Sequence, residues 1–111
     1  MTDHRHTDKQ GDFVWYELMT SDANAAQAFY GSLLGWDYAD SGTEGMDYRL
    51  GSKAGADVVG LMALTEEMTA GGARPAWVGY IAVDDIQAAL AAVEAAGGQR
   101  YMDAQHMPGV G

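Results

Sequence analysis

Glu17 is a carboxylate set inside FVWYELM, a run of aromatic and aliphatic residues with the composition of a buried strand. An acid in such a setting can act as a general base or as an acceptor that orients a ligand. The competing role is structural: an ion pair with Arg49 or Arg74, or simple exposure at a sheet edge. Period-two alternation sends Trp15, Glu17 and Met19 to one face and Val14, Tyr16 and Leu18 to the other. On the first face Trp15, with Tyr48 and Tyr80 from later strands, could stack on a flat aromatic ligand, although large aromatics also fill the cores of small domains. The expected ligand-binding set is Trp15, Glu17, Tyr48 and Tyr80, with Glu17 as the one candidate for catalysis. Trp77 could join the stack, and Met19, Met46, Met62 and Met68 could line an adaptable pocket or simply fill space.

Other chemistry is thin. His4 and His6 could chelate a stray ion, but nothing near them in the sequence would hold them rigid. His106 sits beside a Pro-Gly turn without a visible orienting partner, so it reads as a bystander rather than an acid or base. The glycine pairs Gly71-Gly72 and Gly97-Gly98 lack the strand-to-helix setting of a phosphate loop. There is no cysteine among the 111 residues, which removes disulfides and thiolate chemistry. A formal charge of -10 with only 6 Lys and Arg argues against nucleic acid and anionic membrane surfaces as partners. No apolar run approaches the roughly 18–20 residues of a membrane span. The first residues form no apolar signal core, so the cytoplasm is the expected compartment.

The elements that must position Glu17 follow from the pattern. Residues 1–11 read as a flexible tail. A strand over Phe13 to Met19 runs into Thr20, Ser21 and Asp22, which can cap a helix. Ala26, Phe29, Tyr30 and Leu33 form the apolar stripe of that helix, and Gly35 stops it. Three further strands follow, over Trp36 to Ala39, Met46 to Leu50 and Ala56 to Leu64, separated by glycine-containing turns. Residues 67–75 read as a linker or mobile loop. The grammar then restarts. Trp77 to Val83 is a strand, Asp84 or Asp85 a cap, Ile86, Ala89, Leu90 and Val93 a stripe, and Gly97-Gly98 a stop. The offset is constant at 63 residues: Leu18 maps to Ile81, Asp22 to Asp85 and Gly35 to Gly98. We read this as an internal duplication.

The expected class is α+β, built from tandem βαβββ modules. Module one spans 12–66, the linker 67–75 and a partial module two 76–111. After Gly98 only 13 residues follow, room for one further strand around Arg100 to Ala104. Module two is therefore expected to be truncated after its first strand, its helix and that strand. An open edge of this kind invites pairing with another chain.

This plan, with the stretches WYELMTSDANAAQAFYGSLLGW and AWVGYIAVDDIQAALAAVEAAGG and the closing PGVG, resembles the vicinal-oxygen-chelate superfamily of glyoxalases, bleomycin-resistance proteins and dioxygenases. The resemblance implies a cup built from paired modules. In metal-dependent members a His or Gln early in a module's first strand and a Glu on its last strand hold a divalent ion. The matching first-strand positions here are Trp15 and Val78, and the last strand of module one, ADVVGLMALT, has neither Glu nor His. No metal ligand and no cofactor is therefore expected, a divalent metal being the alternative. The implied function is metal-free binding of a small molecule, in the manner of bleomycin-resistance proteins. A lyase, isomerase or dioxygenase with an atypical metal site and a non-catalytic interaction module are the alternatives. The resemblance also implies a homodimer, with strands exchanged between chains as one possible arrangement.

Overall fold

The first strand is β1 (Phe13–Thr20), which is flanked by other strands on both sides. In the computed structural model, residues 9–101 and Ala104 are described. Asp22 ends the β1 turn by accepting the Ala25 N–H at 3.0 Å, which starts helix α1 (Ala23–Leu34). Gly35 closes the helix at φ 72°, a left-handed conformation that favours glycine. Then come β2 (Asp37–Asp40), β3 (Tyr48–Lys53) and β4 (Ala56–Ala63). The sheet continues with β5 (Ala76–Ile81), and α3 (Ile86–Ala95) follows it. The stretch expected to be a linker contains a short helix, α2 (Glu66–Ala70). Thr65 Oγ1 accepts the Met68 N–H at 3.1 Å, and Glu66 and Glu67 sit in the first turn, where negative charge favours a helix.

The five strands form one mixed sheet in the order β2-β3-β4-β1-β5. β1 is parallel to β4 and antiparallel to β5. Strands β2, β3 and β4 form an antiparallel meander. The fold is thus the expected α+β, glyoxalase-like arrangement, with a complete first module and a second represented by β5 and α3. The further strand expected around Arg100 to Ala104 falls largely outside the described residues, and Arg100 and Tyr101 lie in no strand. His4, His6, His106 and the expected flexible tail up to residue 8 also lie outside them.

The β1–β5 register expresses the duplication. Trp15 faces Tyr80, Tyr16 faces Gly79 and Glu17 faces Val78. Under the 63-residue offset Trp15 corresponds to Val78, Tyr16 to Gly79 and Glu17 to Tyr80. Exchanging the modules therefore turns the first of these pairs into the third and leaves the Tyr16–Gly79 pair in place. A local pseudo-two-fold axis passes between Tyr16 and Gly79.

The core lies between α1 and the sheet. Leu61 is 0% exposed and Val59 1%, both on β4, and Ala23 of α1, which packs on β4, is buried as well. Only half of the expected α1 stripe turns inward. Ala26 and Tyr30 are partly covered, whereas Phe29 is 59% and Leu33 63% exposed. Gln27 takes an inward position instead, because its Oε1 accepts from Arg49 Nη1 of β3 at 2.8 Å. The α3 stripe divides in the same way, with Ala89 and Leu90 partly covered and Ile86 and Val93 exposed, but no residue of α3 is fully buried.

Candidate functional site

Alternation along β1 directs Trp15 and Glu17 away from α1, onto the other face of the sheet. The same face receives Tyr48 from β3 and Tyr80 from β5, since Tyr48 pairs with Met62 and Tyr80 with Trp15. The four residues expected to form the ligand-binding set are brought together there. Glu17 is a charged residue buried in the sheet, at 8% exposure. Tyr80 donates its hydroxyl proton to Glu17 Oε2 at 3.1 Å. Trp15 Nε1–H donates to the Tyr48 hydroxyl at 3.1 Å, which leaves the Tyr48 proton for Glu17. Since Glu17 and Tyr80 are equivalent under the duplication, the Glu17–Tyr80 bond crosses the pseudo-two-fold axis.

The tyrosines register this environment. Burial first, and then the Glu17 charge and hydrogen bond, push the Tyr80 hydroxyl up to about 12. Burial raises Tyr48 still further, with Glu17 adding to the shift and the Trp15 N–H opposing it. Both phenols are therefore held as neutral donors at neutral pH. The ion-pair alternative for Glu17 does not occur through Arg49. That guanidinium binds Asp47 Oδ1 and Oδ2 at 2.9 and 2.8 Å and Gln27 on the α1 side. Arg74 lies in the chain before β5 and forms no ion pair with Glu17.

Gly60 belongs to the site although the motif reading passed over it. It is the β4 partner of Glu17, and the Tyr48 side chain crosses directly above its Cα. A Cβ at this position would run into the Tyr48 hydroxyl and come within 3.1 Å of Trp15 Nε1. A glycine inside the apolar strand VVGLM was the available signal, because strand glycines often mark a close approach. Trp77 does not join the cluster. It points to the α1 side, where its Nε1–H donates to the Tyr30 hydroxyl at 3.2 Å. Met19 and Met62 pair across β1 and β4 beside the site, while Met68 lies on α2.

A family model described as Glyoxalase/Bleomycin resistance protein/Dioxygenase superfamily matches residues 12–110. The chain belongs to this superfamily. Proteins of Mycobacterium bovis and Mycobacterium tuberculosis, both named "Putative glyoxylase CFP32", are each 38% identical to it over 98 residues. The alignment covers 86% of this chain and 37% of each relative, so the chain spans a little over a third of their length.

Superfamily members that use a metal need several hard donors converging on one point. Among the described residues no group of three or more His, Cys, Asp or Glu is placed to hold an ion. Trp15 and Val78 offer no donor, and Glu17 is surrounded by phenols and an indole rather than by further carboxylates. This donor set does not fit the metal of the family. Among the described residues no helix is long and apolar enough to cross a membrane.

Two grooves lie elsewhere. One of about 460 Å³ runs between α1 and β5, with Leu18, Phe29, Tyr30 and Trp77 in its walls. Its carboxylate, Asp22, is occupied as the α1 cap. A second of similar volume lies between α1 and β2, beside Trp36 and Tyr38. Both follow from incomplete covering of the sheet by α1, and neither gathers reactive groups as the Glu17 face does.

Proposed function

We propose that this superfamily member is a metal-free binder of a small, flat aromatic molecule, held on the open face of β1, β3 and β5. The supporting observation is the convergence of Glu17, Tyr48, Tyr80 and Trp15 on one face, with Tyr80 still 43% exposed. In this reading Trp15 and Tyr80 supply ring surface, and Glu17 accepts a hydrogen bond from the ligand. The tyrosine hydroxyls keep the carboxylate oriented between visits. Titration with 2-naphthol, followed through the Trp15 indole N–H resonance, tests it. A saturable shift by millimolar ligand is expected, and an unmoved Trp15 signal would sink the reading.

The relatives' name favours a second reading, an enzyme of the glyoxalase-like branch whose metal is held in an atypical way. Stoichiometric Ni, Zn, Fe or Mn in protein purified without a polyhistidine tag would establish it at the expense of the first. We further propose that the chain works as a homodimer. Apolar side chains left exposed on β5 and α3, among them Ile81, Ile86 and Val93, support this, as does the outer edge of β5. Sedimentation of a stable monomer at micromolar concentration would overturn that assembly.

A further inference from the structure

We propose that the Glu17 face selects organic ammonium ions: a ligand carrying a protonated amine next to a flat aromatic group. The inference rests on the small-molecule reading above and names the chemistry of the molecule. A carboxylate taken out of water is normally paired with a cation. Glu17 is 8% exposed, yet among the described residues no basic side chain pairs with it. Its protein partners are the phenols of Tyr80 and Tyr48. These donate hydrogen bonds but bring no positive charge, so among the described residues the Glu17 carboxyl has no cationic partner, in a chain of formal charge -10.

The remaining acceptor capacity decides what fits. A carboxylate offers about four lone-pair positions, and the two tyrosines occupy part of that set. The rest is available to a donor arriving over the sheet. The Trp15 N–H is spent on Tyr48, so the indole presents its ring to the ligand rather than a donor. An ammonium group satisfies both features. Its N–H protons complete the carboxylate, and its positive charge is attracted by the rings of Trp15 and Tyr80. A neutral alcohol gains only a hydrogen bond. A carboxylate ligand meets Glu17 as a like charge, with no arginine or lysine among the described residues paired with Glu17 to compensate.

Three probes of similar size separate these cases at pH 7: benzylamine (protonated), benzyl alcohol and benzoate. Each is titrated into the full chain and followed by calorimetry and by the Trp15 indole N–H resonance. Benzylammonium is expected to bind about tenfold tighter than benzyl alcohol, with benzoate failing to saturate. E17Q is expected to reduce the ammonium to the level of the alcohol. If E17Q does not fold, a salt titration of the unaltered chain serves in its place: benzylammonium binding should weaken as NaCl is raised while benzyl alcohol binding stays constant, and an equal response of the two would overturn the charge preference. Equal binding of all three would overturn the charge preference while leaving an aromatic-binding face intact. Absence of binding by every probe at millimolar concentration would remove both proposals together.

Discussion

Modules one and two start from nearly the same local sequence grammar and reach different environments. Each has an apolar strand, an aspartate cap and an alanine-rich helix, and Asp85 caps α3 through the Gln87 and Ala88 N–H groups as Asp22 caps α1. In module one the helix packs on β4 and β2, and Ala23, Val59 and Leu61 are buried. In module two the described residues after α3 supply no strand to pack against, and no residue of the helix becomes fully buried. Local signals therefore suffice to make a helix, whereas burial depends on what the rest of the chain places beneath it.

The comparison makes its largest prediction in the core. Leu61→Ala is expected to cost about 2–5 kcal/mol in urea unfolding, since a fully enclosed side chain leaves a cavity. Val93→Ala, at an exposed position on α3, should change stability by no more than about 0.5 kcal/mol. A cost for Val93→Ala approaching that of Leu61→Ala would mean that α3 is covered in solution, which the proposed dimer would explain.

Gly60→Ala comes next. The added methyl forces the Tyr48 ring off β4, at roughly 1–3 kcal/mol, and the Trp15 indole N–H resonance should move because its acceptor leaves. An unchanged resonance would show that Tyr48 has room to give way. The caps provide a finer contrast. Asp22→Ala should lower global stability by about 1 kcal/mol. Asp85→Ala should instead speed amide exchange within α3 and leave the unfolding midpoint nearly unmoved, because a helix with no fully buried residue can fray alone.

The smallest effect is a pH dependence. Tyr80 titrates near 10 when unfolded and near 12 when folded, so the unfolded chain loses this proton first. Stability from the neutral phenol is complete below about pH 10 and is lost as pH rises toward 12. Y80F should flatten the curve in that window, with tyrosinate absorbance reporting the titration. An identical decline in wild type and Y80F would assign the loss to other groups, Tyr48 first among them.

Legibility in the sequence followed the range of the interaction. The 63-residue repeat, the Asp22 cap and the Gly35 stop are local signals and could be read directly. The short helix α2 was hidden by the glycines after it, although Thr65 and two glutamates announce an N-terminus. The α1 stripe was half misjudged at Phe29 and Leu33, because periodicity gives a face and not the width of the surface it meets. At the candidate site, alternation placed Trp15 and Glu17 together, and the later tyrosines could be assigned to their face. Gly60 was missed because its meaning lies in the Tyr48 side chain that crosses it.

By itself the sequence determined that two modules exist, where their helices begin, and which face of β1 carries Glu17. These depend on caps, turns and periodicities spanning a few residues. The antiparallel β1–β5 register, the pseudo-two-fold axis between Tyr16 and Gly79, and the hydrogen bond from Tyr80 to Glu17 were decided only in the folded chain. They join residues 63 positions apart, and register between distant strands is selected by the packing of whole faces rather than by either strand alone.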